Sequence, residues 1–263
     1  MNKLTYSLIL AGLTGLSSVS AFADEAPAAP AAPTPEHSLT GNVGLFSQYI
    51  YRGITQTNEK AALQGGFDYA HSSGLYVGIW GSNVSWISDP GNGASASLEL
   101  DTYFGYKNSF AEDFSYDVGF LRYNYPGSYP GGFVKPDTNE IYGQLGYKWF
   151  TAKYSYSLGD TFGVANARGT DYLDLSANFE VADKLTLGLH AGKQTYKGST
   201  GGVSNDSLFT YTDYKVSLTK DISGYMVGVA FSDTNAKDAG YFIPATGKNN
   251  GRNQFVVSVS KSF

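Results

Sequence analysis

The chain of 263 residues contains no cysteine, three histidines and only 16% charged residues. The absence of cysteine excludes a disulfide framework, a thiolate metal site and a cysteine nucleophile. A net charge of −5 argues against a nucleic-acid-binding domain, which normally carries a basic face. Beyond the N-terminus, no apolar run approaches the roughly 18 residues that a transmembrane helix needs. The chain is instead rich in glycine and tyrosine, with 32 and 21 residues, which indicates a fold built from something other than helices.

The N-terminus is predicted to be an export signal followed by a linker. Residues 1–23 have the three parts of a secretory signal peptide, namely a short positive start, an apolar run and an Ala-Phe-Ala cleavage site. Residues 24–37 are rich in alanine and proline, which favours an extended linker. Residues 38–263 are therefore expected to form the folded domain.

From Leu39 to the last residue, apolar side chains alternate with polar or small ones, as in strands with two different faces. This alternation predicts twelve strands, over residues 39–52, 63–69, 75–82, 98–107, 114–120, 140–149, 153–158, 173–181, 185–190, 213–218, 225–232 and 254–263.

The connections between these segments alternate between long and short along the chain. This order predicts an all-β fold, a closed antiparallel transmembrane β-barrel of about 12 strands with short periplasmic turns and longer extracellular loops. A soluble β-sandwich is disfavoured because its strands recur every ~8–12 residues. Here the 226 residues from 38 to 263 give about 19 for each strand and its connection.

The apolar face is expected to contact outer-membrane lipid. Aromatic residues near the segment ends are expected to form girdles at the headgroup level, namely Tyr49, Tyr51, Trp149, Phe150, Tyr196, Phe209 and Tyr225. The last segment resembles the C-terminal strand of outer-membrane barrels, which ends in an aromatic residue and is read by the barrel-assembly machinery. Its assembly signal is predicted to be Phe255, Val257, Val259 and Phe263.

The polar face is expected to line the bore. Its charged residues are the candidates for selectivity: Arg52, Asp68, Glu99, Asp101, Lys107, Asp117, Glu140, Lys148, Lys153, Asp174, Asp213 and Lys215. Glu99 and Asp101 lie two residues apart on one predicted strand, so they share a face and could attract cations. Alternatively, the same charges pair across neighbouring strands as ordinary salt bridges.

An outer-membrane lipid hydrolase is the enzymatic alternative. Such an enzyme would need a serine and a histidine oriented by a polar residue. Only His190, predicted to face the bore near Asn178, lies on the barrel wall, and lipid does not reach that position. The three histidines lie far apart in the sequence and are not expected to provide a metal site. No enzymatic activity and no cofactor are therefore expected.

Three segments resemble one protein family. NVGLFSQYIYRGITQT (42–57) is similar to the opening motif of Gcw_chp, a family of proteobacterial outer-membrane proteins labelled TorF-family porins. LQGGFDYAHSSGLYVGIWGSNV (63–84) and ELDTYFGYK (99–107) resemble the segments that follow in that family. The resemblance extends from about residue 42 to residue 263. It implies an outer-membrane barrel, and neither a substrate nor catalytic residues.

The predicted function is a porin-like channel in the bacterial outer membrane for passive diffusion of small hydrophilic solutes, with a mild preference for cations. Eight-stranded barrels are filled by side chains and barrels of 16–18 strands hold an open channel, so about twelve strands predict a narrow bore. The alternative is a structural or ligand-binding barrel with a plugged lumen. In that alternative the loop from Tyr125 to Pro136 either folds inward or remains outside as a binding surface.

Overall fold

The structure is a computed structural model that describes residues 35–263. Twelve antiparallel strands form a closed barrel in which each strand pairs with its neighbours in the chain and the last strand pairs with the first, as predicted. The predicted signal peptide and residues 24–34 of the predicted linker lie outside the described residues. The strands are β1 His37–Phe46, β2 Ala62–His71, β3 Leu75–Asn83, β4 Leu98–Phe110, β5 Phe114–Asn124, β6 Thr138–Tyr147, β7 Phe150–Ser157, β8 Asp171–Ala182, β9 Leu185–Thr195, β10 Tyr211–Ile222, β11 Tyr225–Thr234 and β12 Gln254–Ser262.

The two ends of the barrel differ in their connections. Five connections of two or three residues lie at one end, which we call the short-turn end, and six of 13 to 19 residues lie at the other, the long-loop end. This arrangement confirms the predicted alternation. Two short helices, α1 Asn205–Phe209 and α2 Asp238–Tyr241, lie in the last two long loops. Neither helix of the described chain has the length and apolar character to cross a membrane.

The two faces of the wall have opposite character. Large apolar side chains are exposed on the outside of all twelve strands, for example Leu45, Phe67, Val216 and Phe255. In water this band would far exceed the few hundred Å² that a soluble monomer exposes as one contiguous apolar patch. In lipid it is favourable, and the closed sheet leaves no strand edge with unpaired backbone groups.

Glycine and tyrosine make a narrow bore possible. Inward tyrosines lie directly across from inward glycines on the next strand, as in the pairs Gly105–Tyr76 and Gly119–Tyr142. A Cβ atom at Gly119 would lie 2.5 Å from the hydroxyl oxygen of Tyr142, so only glycine leaves room for the ring. The tyrosine rings therefore fill space in the bore that water would otherwise occupy.

The bore is not equally open along its length. Inward side chains near the long-loop end, such as Glu99 and Glu140, are buried, with exposures of 1% and 2%. Inward side chains nearer the short-turn end, such as Asp117 and Lys153, are half-buried. The inward side chains are thus buried in the long-loop half of the bore and less completely buried in its short-turn half, where Asp68 at 2% exposure is an exception.

Candidate functional site

The first long loop, residues 47–61, turns into the bore as a hairpin. Ile50–Tyr51 pairs with Ile54–Thr55, and Arg52 and Gly53 form the tip with φ angles of 45° and 76°. Such two-residue turns require positive φ and favour glycine. We call residues 49–57 the inner hairpin.

The predicted first strand, 39–52, is therefore wrong beyond Phe46. The chain leaves the wall at Gln48, whose side-chain Nε2 donates a hydrogen bond to the carbonyl oxygen of Phe255 at 2.9 Å. The alternating pattern continues because the inner hairpin is itself extended backbone.

Arg52 joins the tip of the inner hairpin to the far wall. Its guanidinium donates to the Glu140 carboxylate through Nη1 at 3.0 Å and Nη2 at 2.7 Å, and Nη1 also donates to Gln194 Oε1 at 2.9 Å. The guanidinium also lies 4.3 Å from the ring centroid of Tyr172. The Glu140 carboxylate compensates the charge of the buried guanidinium. Arg52 is therefore a permanently charged, paired group inside the barrel.

Further contacts hold the inner hairpin on several sides. The hydroxyl of Tyr49 donates to Glu99 Oε1 at 3.0 Å, and the hydroxyls of Tyr51 and Tyr123 share a hydrogen bond. The hydroxyl of Tyr211 donates to the backbone oxygen of Arg52 at 2.8 Å. The inner hairpin is thus in contact with several strands and closes the long-loop half of the bore.

Four of the seven aromatic residues predicted for the girdle do not lie on the outer face of a strand. Trp149, Phe150 and Tyr225 are exposed on the outside near the short-turn end. Tyr49 and Tyr196 are instead buried inside and Tyr51 is half-buried, because all three belong to long-loop segments rather than to the outer face of a strand. Phe209 is half-buried in α1 and packs against Tyr196.

Glu99 and Asp101 do share the inward face of β4, and both are buried. Glu99 accepts the hydrogen bond from Tyr49, whereas Asp101 Oδ1 has no hydrogen-bond partner among the described residues. The predicted acidic patch therefore exists, but it lies beneath the inner hairpin and not in open water.

Charges of alternating sign occupy neighbouring strands in the short-turn half. Lys107 of β4 is directly across from Asp117 of β5, and Lys153 of β7 is directly across from Asp174 of β8. Asp117 accepts a hydrogen bond from the hydroxyl of Tyr76 at 2.5 Å. This arrangement resembles the alternative raised from the sequence, in which the charges of the bore neutralise one another across neighbouring strands.

His190 of β9 lies between two carboxylates. Its Nδ1 lies 3.3 Å from Asp174 Oδ1 and its Nε2 lies 2.8 Å from Asp213 Oδ1. Ser176 Oγ lies 3.2 Å from Nδ1, so a serine, a histidine and an aspartate stand at distances typical of a catalytic triad. However, the Ser176 hydroxyl donates to Asp174 at 2.6 Å and both ring nitrogens face carboxylates, so the ring offers no free nitrogen to accept the serine proton.

The other charged candidates lie in different places. Asp68 of β2 is buried in the bore and accepts a hydrogen bond from the hydroxyl of Tyr103 at 2.5 Å. Lys215 of β10 is half-buried directly across from His190. Lys148 lies outside the bore, in the short turn between β6 and β7, where its Nζ is 3.5 Å from Asp113 Oδ2. The sequence pattern predicts that Lys148 faces the bore, because the alternation of β6 extends into the turn.

The structure also brings two histidines together, contrary to the expectation that they lie apart. His37 and His71 are directly across from each other on β1 and β2, at the short-turn end. With Glu36 they offer three ligand atoms within 4.8 Å of one another. His71 Nδ1, however, accepts a hydrogen bond from the backbone N–H of Ser73 at 3.1 Å, which places the ring proton on Nε2.

A cavity of about 370 Å³ lies at the long-loop end and reaches down to the inner hairpin. Its wall is mainly aromatic and aliphatic and is built from all six long loops, and we call it the aromatic vestibule. Its lining includes Tyr51 and Arg52 of the inner hairpin, Trp86 and Phe133 of the next two loops, Phe162 of the fourth and Tyr241 of the sixth. The sequence showed aromatic residues in these loops but not that they converge.

The loop from Tyr125 to Pro136 was predicted either to fold inward or to stay outside, and most of it stays outside the bore. Tyr125 and Pro136 at its two ends are buried, but most of the residues between them are exposed. The loop that enters the bore is the first one.

The predicted assembly residues lie on the outside of the barrel seam. Phe255, Val257 and Val259 of β12 and the terminal Phe263 are all exposed. The backbone of Phe263 forms two hydrogen bonds with Gly41 of β1, at 2.8 and 2.9 Å, which extends the closing strand pair by one residue.

Comparison with known proteins gives a family match and a likeness of fold. The family described as "Bacterial protein of unknown function (Gcw_chp)" matches residues 30–263. No curated protein matches the sequence. Among solved structures, the KdgM porin in complex with disordered oligogalacturonate is similar with a TM-score of 0.50 and 9% identity, covering 86% of this chain and 98% of that chain.

Two other similar structures score lower. The NanC porin has a TM-score of 0.49 at 9% identity, covering 86% of this chain and 99% of that chain. OccD1 (OprD) has a TM-score of 0.42 at 15% identity, covering 90% of this chain and 72% of that chain. At 9% identity, the likeness to KdgM concerns the fold alone.

Proposed function

The chain belongs to the family of bacterial proteins of unknown function named Gcw_chp, and we propose that it is an outer-membrane channel for small hydrophilic solutes, narrowed by its inner hairpin. The proposal includes the finer label of a TorF-family porin, export by the predicted signal peptide, and insertion into outer-membrane lipid by the barrel-assembly machinery. The short-turn end would then face the periplasm. The apolar outer band around a closed barrel supports this location.

The observation that carries the proposal is the inner hairpin itself. It enters a bore whose wall is polar, and its tip is held by the bidentate ion pair between Arg52 and Glu140 and by hydrogen bonds to Gln194 and Tyr211. Displacement of this hairpin would expose the buried carboxylates of Glu99, Asp101 and Glu140 to water. A polar path would then run through the barrel, as passage of hydrophilic solutes requires.

A mild preference for cations follows from the charges that face the bore. Among the candidates that lie in the described part of the chain, seven carboxylates face the bore, against four side chains of Arg and Lys, because Lys148 lies outside. The acids are Asp68, Glu99, Asp101, Asp117, Glu140, Asp174 and Asp213, and the bases are Arg52, Lys107, Lys153 and Lys215. An excess of negative charge along a bore favours cations.

Planar-bilayer recording on the purified, refolded mature protein tests the proposal. We expect discrete current steps of low conductance, because the hairpin narrows the bore, and in a KCl gradient a reversal potential of the sign that potassium selectivity produces. A reversal potential of the opposite sign would remove the cation preference. Complete absence of current from correctly folded protein, even after the inner hairpin is released by mutation, would remove the channel.

A plugged structural or ligand-binding barrel is the second candidate. It is favoured by the near-complete burial of Glu99, Asp101 and Glu140, which leaves no open water path at that level of the described barrel. Current that appears only when the inner hairpin is released would still support a gated channel. The enzymatic reading would gain support only from hydrolysis of a phospholipid reporter that His190→Ala abolishes.

A further inference from the structure

The aromatic vestibule lies where a solute arriving from the long-loop end first meets the closed part of the bore. Its volume of about 370 Å³ falls within the ~300–1,000 Å³ of typical small-molecule sites. Because six loops contribute to one wall, the space is a formed cavity and not a groove on a single element.

The chemistry of the wall limits what could bind. Rings from Tyr51, Trp86, Phe133, Phe162 and Tyr241 surround the space and suit the flat faces of a ring compound. Arg52 is the one charged residue among the described residues that line it, and its guanidinium is already paired with Glu140 and Gln194. A charged ligand would lose its hydration without gaining a free counter-charge.

Neutral polar groups complete the wall. Gln56, Asn92 and Asn250, whose side chains end in neutral amides, are among the lining residues. Asn250 Oδ1 and Trp86 Nε1 are both buried, and neither has a hydrogen-bond partner in the part of the chain that the structure describes. A neutral ligand that formed a hydrogen bond with either atom would remove the cost of leaving that atom unpaired.

We propose that the aromatic vestibule binds an uncharged compound with one or two flat rings and a neutral hydrogen-bonding group such as an amide. A ligand seated there contacts the outer side of the inner hairpin through Tyr51 and Ile54. The inference goes beyond the proposed channel, because it assigns a ligand to the vestibule and not the solutes that cross the bore. It rests on the proposed channel only for the direction from which a compound enters, namely the long-loop end. Binding to the vestibule can be measured without transport.

Calorimetric titration of the refolded, detergent-solubilised protein with 2-naphthamide and 2-naphthoate tests the inference. The two probes share a ring system and differ in charge. We expect 2-naphthamide to bind at least tenfold more tightly than 2-naphthoate. Equal binding, or tighter binding of the anion, would overturn the proposal.

Two variants distinguish the cavity from uptake into the detergent. Val164→Trp places a large ring in the cavity wall, whereas Val203→Trp makes the same change at an exposed position outside the lining. We expect Val164→Trp to weaken 2-naphthamide binding at least tenfold and Val203→Trp to leave it unchanged. Val134→Trp, on another lining loop, repeats the test if Val164→Trp does not fold.

The outcomes separate this inference from the channel itself. Binding that Val164→Trp removes, in a protein that passes no current, would support the vestibule and contradict the channel. Current without such binding would support the channel and contradict the vestibule. Equal heats from the wild type and Val164→Trp would show that the probe binds elsewhere, and the inference would fail.

Discussion

Arg52 and Glu140, 88 residues apart in the sequence, form a buried bidentate ion pair that links the tip of the first long loop to β6 on the far side of the barrel. Each partner offsets a charge that would otherwise be buried alone. Removal of one partner from such a pair commonly costs about 3–5 kcal/mol, because the other charge is left without compensation. The pair therefore favours the position of the inner hairpin strongly over other positions.

Arg52→Ala is expected to release the inner hairpin and to raise single-channel conductance several-fold. The released carboxylate of Glu140 becomes solvated only if water enters the bore, so the variant favours the open state. Planar-bilayer recording measures the change. Arg122→Ala is the matched control, because Arg122 is partly exposed and contacts Asn124 and Asn139 at the wall. A similar gain in both variants would contradict a specific role of the Arg52–Glu140 pair.

Gly53→Ala is expected to displace the same hairpin by crowding rather than by loss of charge. A Cβ atom at Gly53 would meet the Thr234 methyl group and lie 2.6 Å from Asp213 Cβ, at a φ of +76°. Overpacking of this kind typically costs about 1–3 kcal/mol. Guanidinium unfolding in detergent should show that loss, together with raised conductance.

Gly91→Ala provides the control for Gly53→Ala. Gly91 has a similar φ of +67°, but a Cβ there would have no atom within 4 Å. It therefore reports the cost of positive φ alone. Equal destabilisation by the two substitutions would mean that contact with β10 and β11 does not hold the hairpin tip.

Much of the wall could be predicted from the sequence, because lipid and water impose a strict alternation on each strand. The twelve strands, the closed sheet and the order of long and short connections all follow from that pattern. Glu99 and Asp101 share a face for the same reason, since side chains two residues apart in a strand point the same way.

The inner hairpin could not be predicted, because periodicity does not tell a wall strand from extended chain inside the bore. Tyr49 and Tyr51 continue the pattern of β1, yet they pack inside. The signal that was present is the Arg52-Gly53 pair, a two-residue turn inside an apparent strand. The pairing of His37 with His71 was missed for another reason, since it depends on the register between β1 and β2.

Asp117→Asn is expected to weaken cation preference, because Asp117 is half-buried in the short-turn half of the bore. The reversal potential in a KCl gradient should move toward zero. Glu112→Gln removes one negative charge in the short turn beside β5, where the side chain is exposed, and should leave the reversal potential unchanged. Equal shifts would mean that the overall charge, not the bore, sets selectivity.

Phe263→Ala is expected to impair assembly of the barrel in cells more than stability of the finished barrel. The two backbone hydrogen bonds between Phe263 and Gly41 do not need the ring, which lies over Gly41 at the seam between β1 and β12. The exposed ring is therefore free to be recognised before closure. The amount of folded protein in the outer membrane, measured by heat-modifiable gel mobility, should fall several-fold, while refolding in detergent proceeds normally.

Phe110→Ala is the control, because it removes another exposed ring, from the outer face of β4. It should lower the amount of folded protein in the outer membrane much less than Phe263→Ala does. An equal loss in cells would assign the effect to lost lipid contact rather than to a terminal signal.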